Sequence, residues 1–288
     1  MGVTPERVHE LVELVRRAGV LHPAAKGRAR WQTPTAGPDE AYWERLRQDG
    51  DGAGVLARRS AATVAVLGLD RLGLAIATQV AAAGVGTVLV EDECPALPAD
   101  HPGGLRDRTR AEAARAALRR TVPEVRTSAP AGTRPDLLVM VSAHVTDPVR
   151  VRPLMREDVP HLPMVVGDVE VVVGPLVVPG TGPCTRCCDL HRTDADPAWP
   201  AVATQLRVMP CTGPESGAAA LAAALVTHQV LAHLDGREVA VRGASLEVTA
   251  LDPVPAVRPW SVHPACGCQA PAPALPPAAA PAGQPLPA

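Results

Sequence analysis

Apolar and polar positions along the chain are most sharply segregated in residues 63–91, TVAVLGLDRLGLAIATQVAAAGVGTVLVE. A continuous β-branched and apolar run, 63–67, has the length of a strand buried on both faces. A turn from Gly68 to Gly73 follows, then an Ala-rich helical stretch to about Ala83, closed by Gly84 and Gly86. A second short strand, 87–90, ends on Glu91 and Asp92. Strand, glycine turn, helix, strand and acid make the βαβ unit that holds nucleotide phosphates. In such a unit Gly68 permits the sharp turn, Gly73 permits close packing of the helix, and the helix N-terminus faces an anion. Glu91 stands at about the 20-residue distance where an acid reaches a ribose hydroxyl. The middle glycine of the pattern is replaced by Asp70, whose charge opposes a phosphate.

The rest of the chain extends this into a parallel-sheet α/β domain. Residues 108–120 (RTRAEAARAALRR) form a helix by propensity. Its arginines make a solvated face, or Arg106, Arg108 or Arg110 points at phosphates. Residues 136–142 are a third buried strand, leading to His144 in the crevice where such sheets bind ligands; a capping or packing role is the alternative. Two further strand-like runs occupy 163–166 and 171–178. Residues 211–235 read as a tightly packed helix, and 239–242 and 245–251 as a strand pair. Before the βαβ unit, residues 1–22 carry an amphipathic helix with Val8, Leu11, Val12 and Val15 on its apolar face. It is similar to the last helix of a winged-helix module, or else packs on the main domain. The expected division is residues 1–25 (helix), 26–60 (a linker or arm), 61–268 (the nucleotide-type domain) and 269–288 (a disordered Ala/Pro tail). The arm carries one helical piece near 39–47 and packs through Tyr42 and Trp43.

Charge and composition narrow the classes. With 28 basic and 30 acidic residues and no basic block, neither nucleic acid nor a membrane surface is the expected partner. No stretch is expected to span a membrane and no signal peptide pattern opens the chain, so a cytoplasmic protein is expected. There is no Phe and a single Tyr, so Val, Leu and Ala must fill the core.

Seven cysteines in such a chain read as metal ligands or free thiols. Cys184 and Cys187 form a C-x-x-C knuckle; Cys266 and Cys268 form a C-x-C knuckle far downstream. Two separated knuckles are the pattern of a four-cysteine structural zinc site. His263 or Cys188 in place of one sulfur, a lost metal, and a redox pair are the alternatives. Closure of roughly 80 residues between the knuckles would pin the last strand to the domain.

Together the glycine turn, the AEAARAAL helix, the Asp-Leu-Leu-Val strand, CTRC, the Gly/Ala-rich helix ending Leu-Asp-Gly and the terminal knuckle resemble the ThiF/MoeB family of ATP-dependent adenylyltransferases. The resemblance spans about residues 61–268. It is nearest to ThiF-like proteins of actinobacterial peptide-modification clusters, in which a leader-peptide-binding module precedes this domain. The resemblance implies a Rossmann-like, doubly wound, mostly parallel sheet with helices on both faces, bound ATP and magnesium, and a homodimer or a partner modification enzyme. It carries Gly68 and Gly73 onto the phosphate loop, Glu91 onto the ribose acid and Arg110 onto the position of a lysine. An aspartate that holds magnesium is expected where the chain has Ser142-Ala143-His144. With Asp70, these departures imply a degenerate nucleotide site.

Three functions follow. The chain is a binding partner in peptide or protein modification with weak or no adenylation. Alternatively it is an active adenylyltransferase with a shifted metal ligand such as Asp147 or Asp168. An NAD-dependent oxidoreductase accounts for the turn and Glu91 but not for the cysteine knuckles.

Overall fold

The computed structural model describes residues 4–17, 34–100, 108–252 and 254–269. The expectations for the tail, for Arg106 and for the end of the first helix lie outside them. Their elements run α1 (Pro5–Arg17), α2 (Gly37–Leu46), α3 (Gly52–Ala61), β1 (Thr63–Leu67), α4 (Arg71–Ala82), β2 (Thr87–Glu91), α5 (Arg110–Thr121), β3 (Leu137–Ala143), α6 (Pro148–Arg156), β4 (His161–Val166), β5 (Glu170–Val173), α7 (Thr185–Ala195), α8 (Trp199–Leu206), α9 (Ser216–Leu234), β6 (Ala244–Thr249) and β7 (Ala256–Pro259).

The strands form one sheet in the order β2-β1-β3-β4-β5-β6-β7. Strands β2, β1, β3 and β4 pair in parallel, and β5, β6 and β7 continue the sheet antiparallel. The chain leaves β1 for β2 on one side, then crosses back to β3 on the other. That reversal opens a crevice at the carboxyl ends of β1 and β3.

Alternation along the strands separates two cores. Val64 and Val66 of β1 and Val139 of β3 face α4, α5 and α9, where Ile76, Val80, Leu118 and Val226 are buried. Ala65, Leu138 and Met140 face the opposite side and pack against Val151, Leu154 and Met155 of α6. Helix α9 is 19 residues long with a mean hydropathy of 1.4 over its most apolar stretch, enough to cross a membrane by length and composition. This corrects the expectation that no stretch reaches that length. Its apolar character has another use here: Ala222, Ala223, Val226 and Val230 are buried against α4 and the sheet, and Thr227 Oγ1 donates to Gln79 Oε1 of α4 at 2.9 Å.

Several local expectations are corrected. The arm contains a second helix, α3. Two glycines in its first turn hide it from propensity, yet Gly52 is needed there: a Cβ would lie 2.3 Å from the Glu40 carbonyl oxygen of α2. Trp43 does hold the arm, packing on Ala36, Val55 and Leu56 beneath Arg237; Tyr42 is exposed. The run 171–178 breaks after Val173 at Gly174, whose φ is +97°. Residues 239–242 form turns, and β6 pairs with β7 instead. β7 gives no alternation to read, because all four of its residues are exposed. Helix α9 starts at Ser216, after an irregular segment from Cys211.

Candidate functional site

The crevice is a cavity of about 260 Å³ lined by Gly68, Asp70, Arg71, Arg110, Ser142 and Cys211, among others. Its floor is the glycine turn. Gly68 has φ +82°, and a Cβ there would sit 2.6 Å from the Val141 carbonyl oxygen. Gly73 is closed in from the other side: a Cβ would lie 1.9 Å from the Gly68 carbonyl oxygen. The turn therefore folds onto itself, and both glycines are fixed by backbone approach, as the motif requires.

Asp70 takes the N-cap of α4. Its Oδ1 accepts from the amides of Leu72 at 2.9 Å and Gly73 at 3.0 Å. These are two of the N–H groups that a helix N-terminus offers to an anion. The carboxylate is thus the anion already in place. Burial pushes its pKa up from the ordinary aspartate range, against the pull of the two amides.

The cations around the cavity are engaged as well. Arg110 donates from Nε to Asp100 Oδ2 at 2.9 Å, and its other nitrogens lie 2.6 Å from Asp100 and 3.7 Å from Asp92. Arg71 donates to the Pro214 carbonyl and, at 3.2 Å, to Ser216 Oγ, joining the start of α4 to the start of α9. The N-terminus of α9 carries its own acid: Glu215 Oε2 accepts from Gly217 and Ala218 at 2.7 and 3.1 Å. Those amides hold its pKa below the ordinary glutamate value.

Of the residues expected to meet a nucleotide, Gly68, Asp70 and Arg110 line the cavity, and Gly73 lies directly behind Gly68. Glu91 is exposed and supplies its carbonyl oxygen to the Gly68 amide at 3.2 Å. The next residue, Asp92, is the acid that reaches the turn, accepting from the Leu69 amide at 2.7 Å. His144 stands beside the cavity with φ +56° and its Nε2 3.2 Å from the Pro210 carbonyl oxygen. Arg71, Asp92, Asp100 and Glu215 were not singled out in the sequence. Glu is not among the residues that favour a helix N-cap, so no local signal marked the last.

A second centre lies at the other end of the chain. Cys184 caps α7 and Cys187 sits in its first turn. Gly267, at φ +69°, bends the C-x-C segment so that Cys266 and Cys268 both turn toward them. The sulfurs are 3.8 Å apart for Cys184–Cys187 and 3.5 Å for Cys184–Cys266 and Cys187–Cys268. Four sulfurs around a tetrahedral ion at about 2.3 Å would be spaced by roughly 3.8 Å. The cluster fits that set and can hold a metal ion. Val177, Met155, Leu190 and Val262 pack around it, and the burial and the neighbouring thiols push Cys268 up to about 11. A bound cation would reverse that penalty.

Neither alternative ligand joins the cluster. Cys188 is buried elsewhere, its thiol pushed up to about 12 by burial. His263 uses both ring nitrogens, one 2.8 Å from Asp194 Oδ2 and the other accepting from the Ala265 amide.

No family model and no curated protein matches the chain. Solved structures do. E. coli MccB with ATP is 15% identical, with a TM-score of 0.69 over 93% of this chain and 82% of that one. The microcin C7 biosynthetic enzyme MccB with N-formylated MccA is 15% identical, with a TM-score of 0.65 over 93% and 83%. PaaA is 13% identical, with a TM-score of 0.62 over 90% and 84%. At these identities the likeness concerns the fold alone, and the fold of this chain is like that of MccB and PaaA.

Proposed function

We propose that this chain works in the modification of ribosomal peptides or proteins as a binding partner, with a nucleotide site that no longer supports adenylation. One observation carries the reading. Among the described residues, the crevice features that would receive phosphates are engaged from within: the Leu72 and Gly73 amides of α4 by Asp70, Arg110 by Asp100 and Asp92, Arg71 by Pro214 and Ser216. Phosphoryl chemistry depends on positioned cations and metal-held oxygens. Magnesium does not fit the strand end either. Ser142 and His144 stand where an aspartate is expected, and the donors gathered beside them are an imidazole, a thiol and a single carboxylate, that of Asp168.

The cysteine cluster fits zinc, which would be held by Cys184, Cys187, Cys266 and Cys268 as a structural ion. It would join the start of α7 to the C-terminal segment. The peptide partner is argued from the fold: structures that share it include MccB solved with ATP and with N-formylated MccA. The apolar face of α1, with Val8, Leu11 and Leu14 exposed, supports a homodimer or a complex with a modification enzyme through residues 1–48.

The test is fluorescence anisotropy of precursor peptides encoded beside the gene, titrated with the full chain. Binding that is equally tight with and without ATP is expected. Binding that requires ATP and magnesium would support an active adenylyltransferase instead.

A further inference from the structure

We infer a second metal site, distinct from the cysteine cluster, made by His144, Asp168 and Cys211 and suited to a borderline divalent cation of the zinc class. One imidazole nitrogen, a carboxylate oxygen and the thiol sulfur lie within 4.8 Å of one another. They arrive from three separate places: the end of β3, the turn after β4, and the segment before α9. No local motif places them together; the sheet order does, because β3 and β4 are neighbours and α9 packs across them.

Each donor is oriented from behind. The His144 amide donates to the Val166 carbonyl at 2.8 Å. Its ring Nε2 lies 3.2 Å from the Pro210 carbonyl oxygen, which can only accept, so Nε2 carries the proton and Nδ1 the free lone pair. A metal-binding histidine is held in this way, by a carbonyl on its other nitrogen. Asp168 Oδ1 faces the amide and hydroxyl of Thr212 at 3.4 and 3.3 Å. The Cys211 thiol lies 3.3 Å from the Val166 carbonyl oxygen.

His144 adopts φ +56°, in the left-handed region that a residue with a Cβ enters at a cost. The other left-handed non-glycine residue among those described, Asp158, belongs to a solvent-exposed turn, whereas His144 is half-buried at the crevice. Strain held at a ligand-binding crevice, on a side chain with a free donor atom, is what a metal site explains.

The donor set selects the metal. Nitrogen, oxygen and thiolate together suit zinc, cobalt or nickel and not magnesium. Three protein ligands leave a coordination position open. His144 and Asp168 also line a cleft of about 380 Å³ with Trp199, Arg192 and Arg258, which gives the open position access to an oxygen or nitrogen donor from outside. The site does not depend on whether the chain binds peptides.

The experiment is metal analysis of the full chain, reduced, loaded with excess Co²⁺ and dialysed. About two equivalents per chain are expected, one on four thiolates and one on mixed ligands. Cys211→Ser and Asp168→Asn should each fall to about one equivalent. His144→Asn, chosen because asparagine tolerates the left-handed backbone, should do the same and alter the cobalt ligand-field bands. Unfolding curves superimposable on the parent's would show that the variants are folded. One equivalent in the parent, unchanged in all three variants and lost with Cys184→Ser, would overturn the assignment.

Discussion

Asp70 and Gly73 are joined by a hydrogen bond of 3.0 Å from the Gly73 amide to the aspartate's Oδ1, at the point where nucleotide-binding folds receive a phosphate. The last glycine of the motif keeps its place, and the residue that replaces the middle one consumes its amide. Helix capping and anion binding use the same N–H groups, so an aspartate that caps α4 also competes with any phosphate. Asp70→Ala should cost about 1 kcal/mol of stability through the lost cap. Asp70→Gly, with a smaller stability cost, should raise affinity for ATP in calorimetry. Weaker binding in Asp70→Gly would make Asp70 a nucleotide ligand.

The Arg59–Asp235 pair should dominate the stability of the arm. Arg59 is 1% exposed and donates to both Asp235 oxygens, at 2.9 and 2.7 Å, and to Asp39 at 2.7 Å. It ties α3 to the C-terminal end of α9. Asp235→Ala leaves a buried guanidinium without its main partner and should cost about 3–5 kcal/mol in denaturant unfolding. Arg59→Met combined with Asp235→Leu should cost less than Asp235→Ala alone.

Chelation should separate the zinc reading from a set of free thiols. With the metal in place, Cys184→Ser should lower stability by several kcal/mol, and a strong chelator should shift the parent's Tm downward but not the variant's. A parent without metal and with unchanged Tm in chelator would contradict the assignment.

His161 supplies a pH dependence. It is fully buried, Nδ1 meets the Val159 carbonyl at 2.9 Å, and Nε2 has no hydrogen-bond partner among the described residues. Burial holds its pKa below the ordinary 6.5. The unfolded chain therefore takes up the proton first, so the stability is intact above 6.5 and is lost as pH falls below it. The loss approaches about 1.4 kcal/mol per pH unit for one proton. His161→Leu should reduce stability at every pH and flatten this decline, measured by thermal unfolding between about pH 7.5 and about pH 5.5. His233 is shifted the same way by burial and by Arg242, so part of the slope should persist.

The parts of the fold that were legible are those whose signal is local. β1, β2 and the end of α4 lie within a residue or so of their expected bounds, because period, glycine placement and length agree there, whereas α4 starts at Arg71, inside the turn expected over 68–73, because Asp70 caps it. The cysteine knuckles were legible by spacing, and C-x-C became acceptable once Gly267 supplied a turn. The strand β7 and the helix α3 were not: one is exposed along its whole length and the other opens on glycines required by a neighbour. The partners of Arg59 and Arg110 were hidden for another reason. Arg59 meets a residue 176 positions away, and Arg110 meets Asp100 across a loop of unpatterned sequence. His144, Asp168 and Cys211 were each visible, but only the sheet order brings them together.

The central claim is that the nucleotide site is closed by the chain's own groups. ATP–pyrophosphate exchange tests it most directly, with the full chain, magnesium and each candidate peptide. No exchange above the peptide-free background is expected, in the parent and in a Cys211→Ser control alike. Steady magnesium-dependent exchange that disappears in Arg110→Ala would contradict the account and establish a working adenylyltransferase.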